Sequence, residues 1–279
     1  MELGQWQAAV ETVRMSHGDA SVAQFGRGDP VICLHGVGFT AGGHEWSSNV
    51  EALAQNFRVI APDFVGWGAG SRLRQGYSFA RLADFVRELQ DRLGIARSHV
   101  VGHSMGGWVA SLFAYESPQR VDRLALVGAG GAATRPLPMM TEFQPPSLDE
   151  VTAMLAARTG RPADAVRPWA EYTYGQVQDP EALASYRRIL AHMSDPETRN
   201  LYNMLRRYPY IGAQTLVVWG QEDPVNSLEL GKQIARSIPG AALAVMAGGH
   251  FPQSERPEEF NRHLTAFLTE GHRPAPAAR

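Results

Sequence analysis

The sequence has one cysteine, no long hydrophobic run and no cluster of charges of one sign. A lone Cys33 excludes an intrachain disulfide, and its place inside the apolar run Val31–Leu34 predicts a buried thiol in a reducing compartment. No apolar stretch approaches the roughly 18 residues that a membrane helix needs, and residues 1–15 lack the basic start and apolar centre of a targeting peptide. The sequence therefore predicts a cytoplasmic protein with no membrane partner.

The charge balance also narrows the choice of partner. The formal net charge is −2 and the basic residues are scattered, so the sequence predicts no nucleic-acid partner. With 279 residues and 44% hydrophobic composition, the chain is long enough to bury a full core. We expect one large domain, or one domain with an insertion, and a small and largely apolar ligand. The sequence leaves open whether the protein is a monomer or a homo-oligomer.

Short β-rich runs alternate with segments of helical period, which favours a parallel sheet covered on both faces. The segments Ala8–Arg14 and Ala20–Phe25 flank a turn and predict an antiparallel hairpin at one sheet edge. The other predicted strands are Val31–Leu34, Arg58–Ala61, His99–Val101, Leu124–Val127, Leu216–Trp219 and Ala242–Met246. The predicted core helices are Trp46–Gln55, Phe79–Leu93, Met105–Glu116, Ser227–Ser237 and Pro257–Leu268. The predicted fold class is α/β, with a mostly parallel, doubly wound sheet of about eight strands.

The alternation of predicted strands and helices stops between residues 134 and 210. This part of the sequence contains prolines, paired aromatics and helical segments such as Leu148–Thr159 and Pro180–His192, with no convincing strand. An insertion this long after the sixth strand is typical of a helical lid over a site, and the alternative is a surface subdomain with no part in the site. We expect residues 1–133 and 211–270 to form the core. The tail, residues 271–279, offers nothing to bury and is predicted to be disordered.

One serine has the setting of a nucleophile elbow. Ser104 lies in the run Val-Gly-His-Ser-Met-Gly-Gly-Trp, between Gly102 and Gly106, after an apolar run and before a helical pattern. A serine on a tight turn from strand to helix adopts strained backbone angles, and neighbours without a Cβ let the helix pass close to the strand. The pattern predicts that Ser104 is the reactive residue.

A serine nucleophile needs a base, and the base needs an acid to orient it. In the chain order of elbow-type hydrolases the acid comes next, and Asp223 follows an apolar strand and precedes a proline, which restricts its backbone. Glu222 is the competing acid. His250 follows a strand and two glycines and is predicted to be the base.

The third requirement is a pair of donors for the oxyanion that forms when the serine attacks a carbonyl. Backbone amides can supply both. One is the amide of Met105 at the helix start, and the other is that of Val37 in the glycine-containing turn after the Val31–Leu34 strand. The predicted chemistry needs no metal and no organic cofactor, and it calls for a small hydrophobic carbonyl substrate.

These landmarks resemble those of the α/β-hydrolase superfamily over nearly the whole chain. The matching segments are His35-Gly36, the run from Ala61 to Ser71, the elbow from Gly102 to Gly107, and Gly249-His250. Within the superfamily, the turns at residues 35–43 and 127–131 and the segment 258–262 resemble the hydrolases that open meta-cleavage products of aromatic degradation by breaking a carbon–carbon bond.

The chain departs from that subfamily at three places. Phe251 follows the histidine where the resembled group usually has tryptophan, Gly38-Phe39-Thr40 stands in place of Gly-Pro-Gly, and His103 replaces an asparagine before the nucleophile. The resemblance also implies an arginine of the lid that holds the substrate carboxylate. Arg188, or its neighbour Arg187, lies at about the corresponding place in the insert.

The leading hypothesis is a serine hydrolase that cleaves a carboxylic ester, or a similarly activated acyl bond, through an acyl-serine intermediate. The alternative uses the same residues on the carbon–carbon bond of a 2-hydroxy-6-oxo-dienoate. A hydrolase-fold ligand-binding protein is a third reading, which the intact serine, acid and histidine disfavour. Dehalogenase and epoxide hydrolase readings are disfavoured because those enzymes carry aspartate at the elbow. Aromatic candidates for the pocket are Trp108, Phe143, Trp169, Tyr172 and Phe251.

Overall fold

The computed structural model describes residues 1–72, 76–133, 136 and 138–270. Its centre is an eight-stranded sheet. The strands are β1 (Val10–Met15), β2 (Gly18–Phe25), β3 (Asp29–Leu34), β4 (Phe57–Pro62), β5 (Ser98–His103), β6 (Val121–Val127), β7 (Gln214–Gly220) and β8 (Ala242–Met246). Their order across the sheet is β1-β2-β4-β3-β5-β6-β7-β8.

The first two strands form the predicted antiparallel hairpin, and β2 also runs antiparallel to β4. Every pairing from β4 to β8 is parallel. The predicted class, a mostly parallel α/β sheet of about eight strands, is confirmed. Because neighbouring parallel strands end at the same edge, the loops after β3, β5, β6, β7 and β8 are brought together there.

Helices cover both faces of the sheet. They are α1 (Leu3–Ala8), α2 (Val50–Leu53), α3 (Phe79–Arg92), α4 (Met105–Glu116), α5 (Pro138–Thr141), α6 (Leu148–Thr159), α7 (Ala163–Gly175), α8 (Pro180–Ser194), α9 (Pro196–Leu201), α10 (Leu228–Ser237), α11 (Pro252–Glu255) and α12 (Pro257–Glu270). Successive strand residues point to opposite faces, so Ile32 and Leu34 join the hydrophobic cluster of α3, α4 and α10. Val31 and Cys33 join the cluster of α1, α2 and α12. Burial raises the pKa of the Cys33 thiol far above its ordinary value, which makes it a poor nucleophile.

The predicted helix Trp46–Gln55 is wrong as a single element. A 3₁₀ turn covers Gly43–Trp46, and α2 starts only at Val50. The interruption falls on Ser47-Ser48-Asn49, residue types that favour local hydrogen bonds over helix interiors. Asn49 is buried and its amide donates to the Gln253 carbonyl at 2.9 Å and to Asn261 Oδ1 at 2.9 Å.

The helices α5 to α9 lie between β6 and β7 in the chain, where the sequence predicts an insertion. The segment Leu148–Thr159 is helical with the predicted bounds, whereas α7 carries Pro168 in its interior and has no counterpart among the predicted segments. That helix persists because one face, which includes Val166 and Ala170, is buried. Residues 134, 135 and 137 at the start of the insertion, and the predicted tail at 271–279, lie outside the described residues. Within the described ranges, no helix combines the length and the apolarity needed to cross a membrane.

Candidate active site

Ser104 connects the end of β5 to the start of α4. Its φ of +52° and ψ of −113° make it the one non-glycine residue with positive φ among those the structure describes. The strained turn is held by main-chain hydrogen bonds: the Ser104 amide donates to the Val127 carbonyl at 2.9 Å, and the Ser104 carbonyl accepts from Gly130 at 2.9 Å. A non-glycine residue keeps such a conformation only where its surroundings enforce it, which is common at catalytic positions.

The glycines of the elbow are required by close backbone contacts. A Cβ on Gly102 would lie 2.3 Å from the Gly106 carbonyl oxygen, and a Cβ on Gly106 would lie 2.4 Å from the Leu34 carbonyl oxygen. No side chain fits at these distances, so both positions must be glycine for α4 to start directly against β3 and β5. The sequence-based prediction of a tight turn from strand to helix is confirmed.

Asp223 and His250 are paired. His250 Nδ1 donates to Asp223 Oδ2 at 2.8 Å, and both side chains are buried. Asp223 Oδ1 accepts from the amides of Val225 and Asn226 at 2.8 and 2.9 Å, which fixes the carboxylate. Glu222, the alternative acid, is exposed. The structure therefore brings Asp223, and not Glu222, to the histidine.

The loop after β6 brings this pair to the elbow. A Cβ on Gly128 would lie 3.2 Å from His250 Nδ1 and 3.4 Å from Asp223 Oδ2, and two residues later the Gly130 amide donates to the Ser104 carbonyl. His103, the residue before the serine, donates from Nε2 to the His250 carbonyl at 2.8 Å. Ser104, Asp223 and His250 thus converge at the carboxyl edge from three different strands.

The electrostatics keep His250 neutral near pH 7. Burial lowers its pKa below the ordinary value of 6.5, and the hydrogen bond from Nδ1 to Asp223 opposes that shift. The nearby His103 ring, with its centroid 4.8 Å away, lowers the pKa further. With Nδ1 donating to Asp223, the neutral ring has its lone pair on Nε2 and can accept a proton.

The two predicted oxyanion donors flank the elbow. Met105 is the first residue of α4, so its amide is one of the N–H groups that the helix leaves unpaired. Gly36, immediately before Val37, packs on the elbow, because a Cβ there would lie 3.4 Å from Ser104 Cβ. His35 holds this turn: its Nδ1 donates to the Gly36 carbonyl at 2.7 Å and its Nε2 accepts from the Phe64 amide at 3.0 Å.

An aromatic cluster joins the turn after β3 to the inserted helices. Phe39 lies 5.1 Å from Tyr186 of α8 and 5.5 Å from Phe143, measured between ring centroids. Phe143 and Tyr186 are 4.7 Å apart, and Trp67 lies 6.4 Å from Tyr186. The sequence indicated Phe143 but missed the other three members of the cluster, since nothing in a local pattern pairs residues so far apart in the chain.

Other predicted pocket aromatics have packing roles. Trp108 is buried, stacks on Phe79 at 3.9 Å, and donates from Nε1 to the Tyr202 carbonyl at 2.8 Å. Trp169 and Tyr172 pack against each other and onto the cluster that contains Trp6, and Trp169 also lines a small cavity. Of the predicted aromatics, Phe251 is the one beside the histidine, with its ring centroid 5.3 Å from that of His250.

The arginine beside the site is Arg158 of α6, which the sequence did not single out. Its Cζ lies 4.7 Å from the centroid of Phe251, and it faces the carboxylates of Glu45 and Glu255. Arg188, the predicted arginine, instead pairs with Glu181 on its own helix at 3.6 Å, and Arg187 is exposed. The helical spacing of the insert could not reveal which helix faces the histidine.

A small cavity adjoins Arg158. Its volume is about 60 Å³, and its lining includes Glu45, Arg158, Trp169 and Ser254, but not Ser104. Sites for drug-sized ligands usually enclose about 300–1,000 Å³, so this cavity has room for a group the size of a carboxylate and not for a whole aromatic substrate. Within the described part of the chain, no cluster of histidine, cysteine and carboxylate side chains has the arrangement of a metal site.

The chain belongs to the alpha/beta hydrolase fold family, whose model matches residues 29–257. It is a hydrolase by fold, by the site described above and by its relatives. It is 32% identical over 265 residues to the 2-hydroxy-6-oxo-6-phenylhexa-2,4-dienoate hydrolase of Burkholderia cepacia, in a match that covers 88% of this chain and 90% of that protein.

Two solved structures extend the comparison. A mutant of the meta-cleavage product hydrolase CumD from Pseudomonas fluorescens IP01, complexed with acetates, superposes with a TM-score of 0.80 at 26% identity, covering 94% of this chain and 98% of that chain. The N-acyl homoserine lactone degrading enzyme Est816 superposes with a TM-score of 0.70 at 29% identity, covering 92% of this chain and 100% of that chain. The sequence-based resemblance to meta-cleavage product hydrolases and related esterases is confirmed.

Proposed function

We propose that this protein is a serine hydrolase that cleaves the carbon–carbon bond of a 2-hydroxy-6-oxo-dienoate, a meta-cleavage product of aromatic degradation. The observation that carries the proposal is the convergence of Ser104 with the Asp223–His250 pair, with the half-buried Arg158 close by. The names of the Burkholderia and CumD relatives favour the carbon–carbon substrate over the simple ester that the sequence put first.

The proposed reaction assigns one task to each group. His250 removes the proton from Ser104, whose Oγ attacks the C6 ketone, while the amides of Val37 and Met105 stabilise the oxyanion. Before the attack, the 2-hydroxyl proton is transferred to C5, which gives the 2,6-dioxo tautomer. The C5–C6 bond then breaks, and its electron pair passes through the C3–C4 double bond to the 2-oxo oxygen. The proton on His250 goes to that enolate oxygen, and a water hydrolyses the acyl-serine. One water is consumed, and the products are a carboxylic acid and 2-hydroxypenta-2,4-dienoate.

Arg158 is proposed to recognise the anionic end of the substrate. It stands beside Phe251 and next to a space that fits a carboxylate, and charge-assisted hydrogen bonds between a guanidinium and a carboxylate are strong and directional. Arg188, which the resemblance implied for this role, is engaged by Glu181. We therefore assign the binding of the substrate carboxylate to Arg158 of α6 and not to Arg188 of α8.

The inserted helices are proposed to act as the lid, with Phe39, Phe143 and Tyr186 forming an apolar wall for the hydrophobic part of the substrate. The support is direct contact between Tyr186 of α8 and Phe39, two residues from the predicted oxyanion donor Val37. The proposed partner is thus a small hydrophobic carbonyl compound, handled without a metal or organic cofactor. We also propose a cytoplasmic location, in keeping with the single buried thiol of Cys33.

Ester or lactone hydrolysis is the second candidate, and the likeness to the lactone-degrading Est816 favours it. The two candidates share the nucleophile, base and oxyanion donors, so only the substrate distinguishes them. In ester cleavage an alkoxide leaves, and a carboxylate-binding arginine contributes little.

The test is a direct comparison of substrates on the purified protein. Decay of the yellow 2-hydroxy-6-oxo-6-phenylhexa-2,4-dienoate is measured beside hydrolysis of short-chain nitrophenyl esters and of an N-acyl homoserine lactone. We expect kcat/KM for the dienoate to exceed the others by at least about tenfold, a difference near 1.4 kcal/mol in transition-state binding. Faster turnover of the ester or lactone would replace the proposed function by the second candidate. The Ser104→Ala variant is the control for background reaction.

A further inference from the structure

A buried carboxylate–imidazole pair lies beside the proposed catalytic residues and takes no part in the chemistry described above. Glu45, in the 3₁₀ turn after β3, contacts His103 Nδ1 at the end of β5 through Oε1. The two side chains are 4% and 1% exposed, respectively. A buried ion pair carries a large desolvation cost, so hydrophobic residues of similar volume would often be as stable at such a position.

The pair contacts three of the four loops that carry the proposed catalytic groups: the oxyanion turn, the elbow and the loop of His250. Glu45 Oε2 accepts from the Gly36 amide at 3.2 Å, next to the proposed oxyanion donor Val37. His103 precedes Ser104, and its Nε2 donates to the carbonyl of His250 at 2.8 Å. Glu45 Oε1 also accepts from Gln253 Nε2 at 3.3 Å, just beyond the histidine loop. One carboxylate and one imidazole therefore join the oxyanion turn, the elbow and the base.

The hydrogen-bond partners define the charge state. The His250 carbonyl can only accept, so His103 Nε2 carries a proton. Burial alone would raise the pKa of Glu45, but the charge and hydrogen bond of His103, together with Arg158, lower it to about 2. Glu45 is therefore ionised at neutral pH. The pair places a buried carboxylate against the His103 ring, where the resembled group has an asparagine before the nucleophile.

We propose that Glu45 and His103 are positioning residues, which set the distance between the oxyanion turn, Ser104 and His250. The inference rests on the proposed triad but not on the choice of substrate. Misplacement by about 1 Å can cost on the order of 100-fold in rate. Loss of the pair should therefore slow acylation of Ser104. Glu45 also lines the space beside Arg158, whereas His103 does not, so substrate binding is compared in the His103 variant.

The test is the second-order rate of fluorophosphonate labelling of Ser104, which needs the elbow, base and oxyanion donors but no natural substrate. Glu45→Gln and His103→Gln are each expected to lower this rate, and kcat for whichever substrate is turned over, by about 10- to 100-fold. In His103→Gln, KM should change less than about threefold, because His103 does not line the space beside Arg158. In Glu45→Gln the His103 ring loses the carboxylate that it contacts, whereas the double variant Glu45→Gln/His103→Gln lacks both members of the pair. We expect the double variant to label at a rate close to that of either single variant, because each single variant already breaks the contact.

His99→Gln is the matched control, because His99 is also buried on β5 but pairs with Asp122 at 3.7 Å, away from the triad. His99→Gln should lower the thermal midpoint and leave the labelling rate within twofold of the wild type.

If a Glu45 or His103 variant loses as much thermal stability as His99→Gln and still labels at the wild-type rate, the pair is only structural and the proposal is overturned. If a single variant does not fold, the double variant decides: labelling at the wild-type rate contradicts the proposal. Absence of labelling in the wild type would overturn both the triad and the pair, whereas labelling without turnover of the dienoate would overturn only the proposed substrate.

Discussion

The carboxyl edge of the sheet and the inserted helices meet around the same site but are packed very differently. At the edge, Gly102 and Gly106 leave no space for one additional carbon atom, and Ser104 is forced into a strained conformation. In the insert, Met154 and Leu201 leave more than half of their side chains exposed, at 62% and 55%. We therefore propose that the edge fixes the chemistry through backbone geometry, whereas side chains of the insert select the substrate. Substitutions in the two regions should differ in which kinetic constant they change.

The largest expected effect is at the nucleophile. Ser104→Ala should abolish fluorophosphonate labelling and reduce kcat by about 10⁴-fold or more, since the base and oxyanion donors cannot replace the attacking oxygen. Because φ is positive at this position, Ser104→Gly should raise the free energy of unfolding by about 1 kcal/mol through relief of strain. Labelling by mass spectrometry and urea unfolding measure the two effects. Covalent labelling that persists in Ser104→Ala would show that another residue is the nucleophile.

The next largest loss of kcat is expected at the catalytic acid, Asp223. The neighbouring Glu222 provides the control. Asp223→Asn should lower kcat by about 10⁴-fold, because the amide favours the wrong tautomer of His250. Glu222→Gln should change kcat less than twofold, since Glu222 is exposed and lies outside the pair. Steady-state kinetics on both variants distinguish the two acids. Equal losses in the two variants would contradict the assignment.

An effect on KM rather than kcat is expected from the insert. Arg158→Gln should raise KM for the dienoate by about 10- to 100-fold, the size of a lost charge-assisted hydrogen bond. The rate of labelling by an uncharged fluorophosphonate should stay within threefold of the wild type. Arg188→Gln is the matched control and should leave both constants within twofold. A larger rise of KM in Arg188→Gln than in Arg158→Gln would contradict this assignment and show that Arg188 of α8 binds the carboxylate.

The smallest expected effect is the pH dependence. Burial lowers the pKa of His250, and only the neutral ring can accept the serine proton. Activity should therefore persist as the pH falls through 6.5 and decline only at lower pH, where the ring becomes protonated. The measurement is the labelling rate of the wild type between about pH 4 and 8, within the range where the fold is retained. A half-maximal rate above pH 7 would mean that the pKa of the base is raised, contrary to its burial.

The sequence predicts the two regions to unequal degrees, and packing explains why. The elbow can be found from sequence because close backbone contacts, such as that of Gly106 with Leu34, require glycine at these positions. Strand order, in contrast, depends on pairings between distant segments: β3 lies between β4 and β5 although it precedes both in the chain. Chain order and strand ends sufficed to predict the pairing of Asp223 with His250.

Positions in the insert could not be predicted in the same way. A helical pattern gives the period of a segment but not its rotation or its neighbour, so Arg158 and Arg188 look alike in sequence and differ only in what their helices face. The role of Glu45 was hidden for another reason. Glu45 lies one residue before the predicted helix Trp46–Gln55, in a 3₁₀ turn that the sequence does not predict, and its partner His103 is far away in the chain at the end of β5.

The measurement that tests the central claim most directly is product analysis after exhaustive reaction with 2-hydroxy-6-oxo-6-phenylhexa-2,4-dienoate. If the serine at the sheet edge breaks the carbon–carbon bond of a substrate held by the insert, mass spectrometry will show benzoate and 2-hydroxypenta-2,4-dienoate in equal amounts. The Ser104→Ala variant will form neither product. Recovery of unchanged dienoate from wild-type protein that hydrolyses esters or lactones would contradict the proposed function.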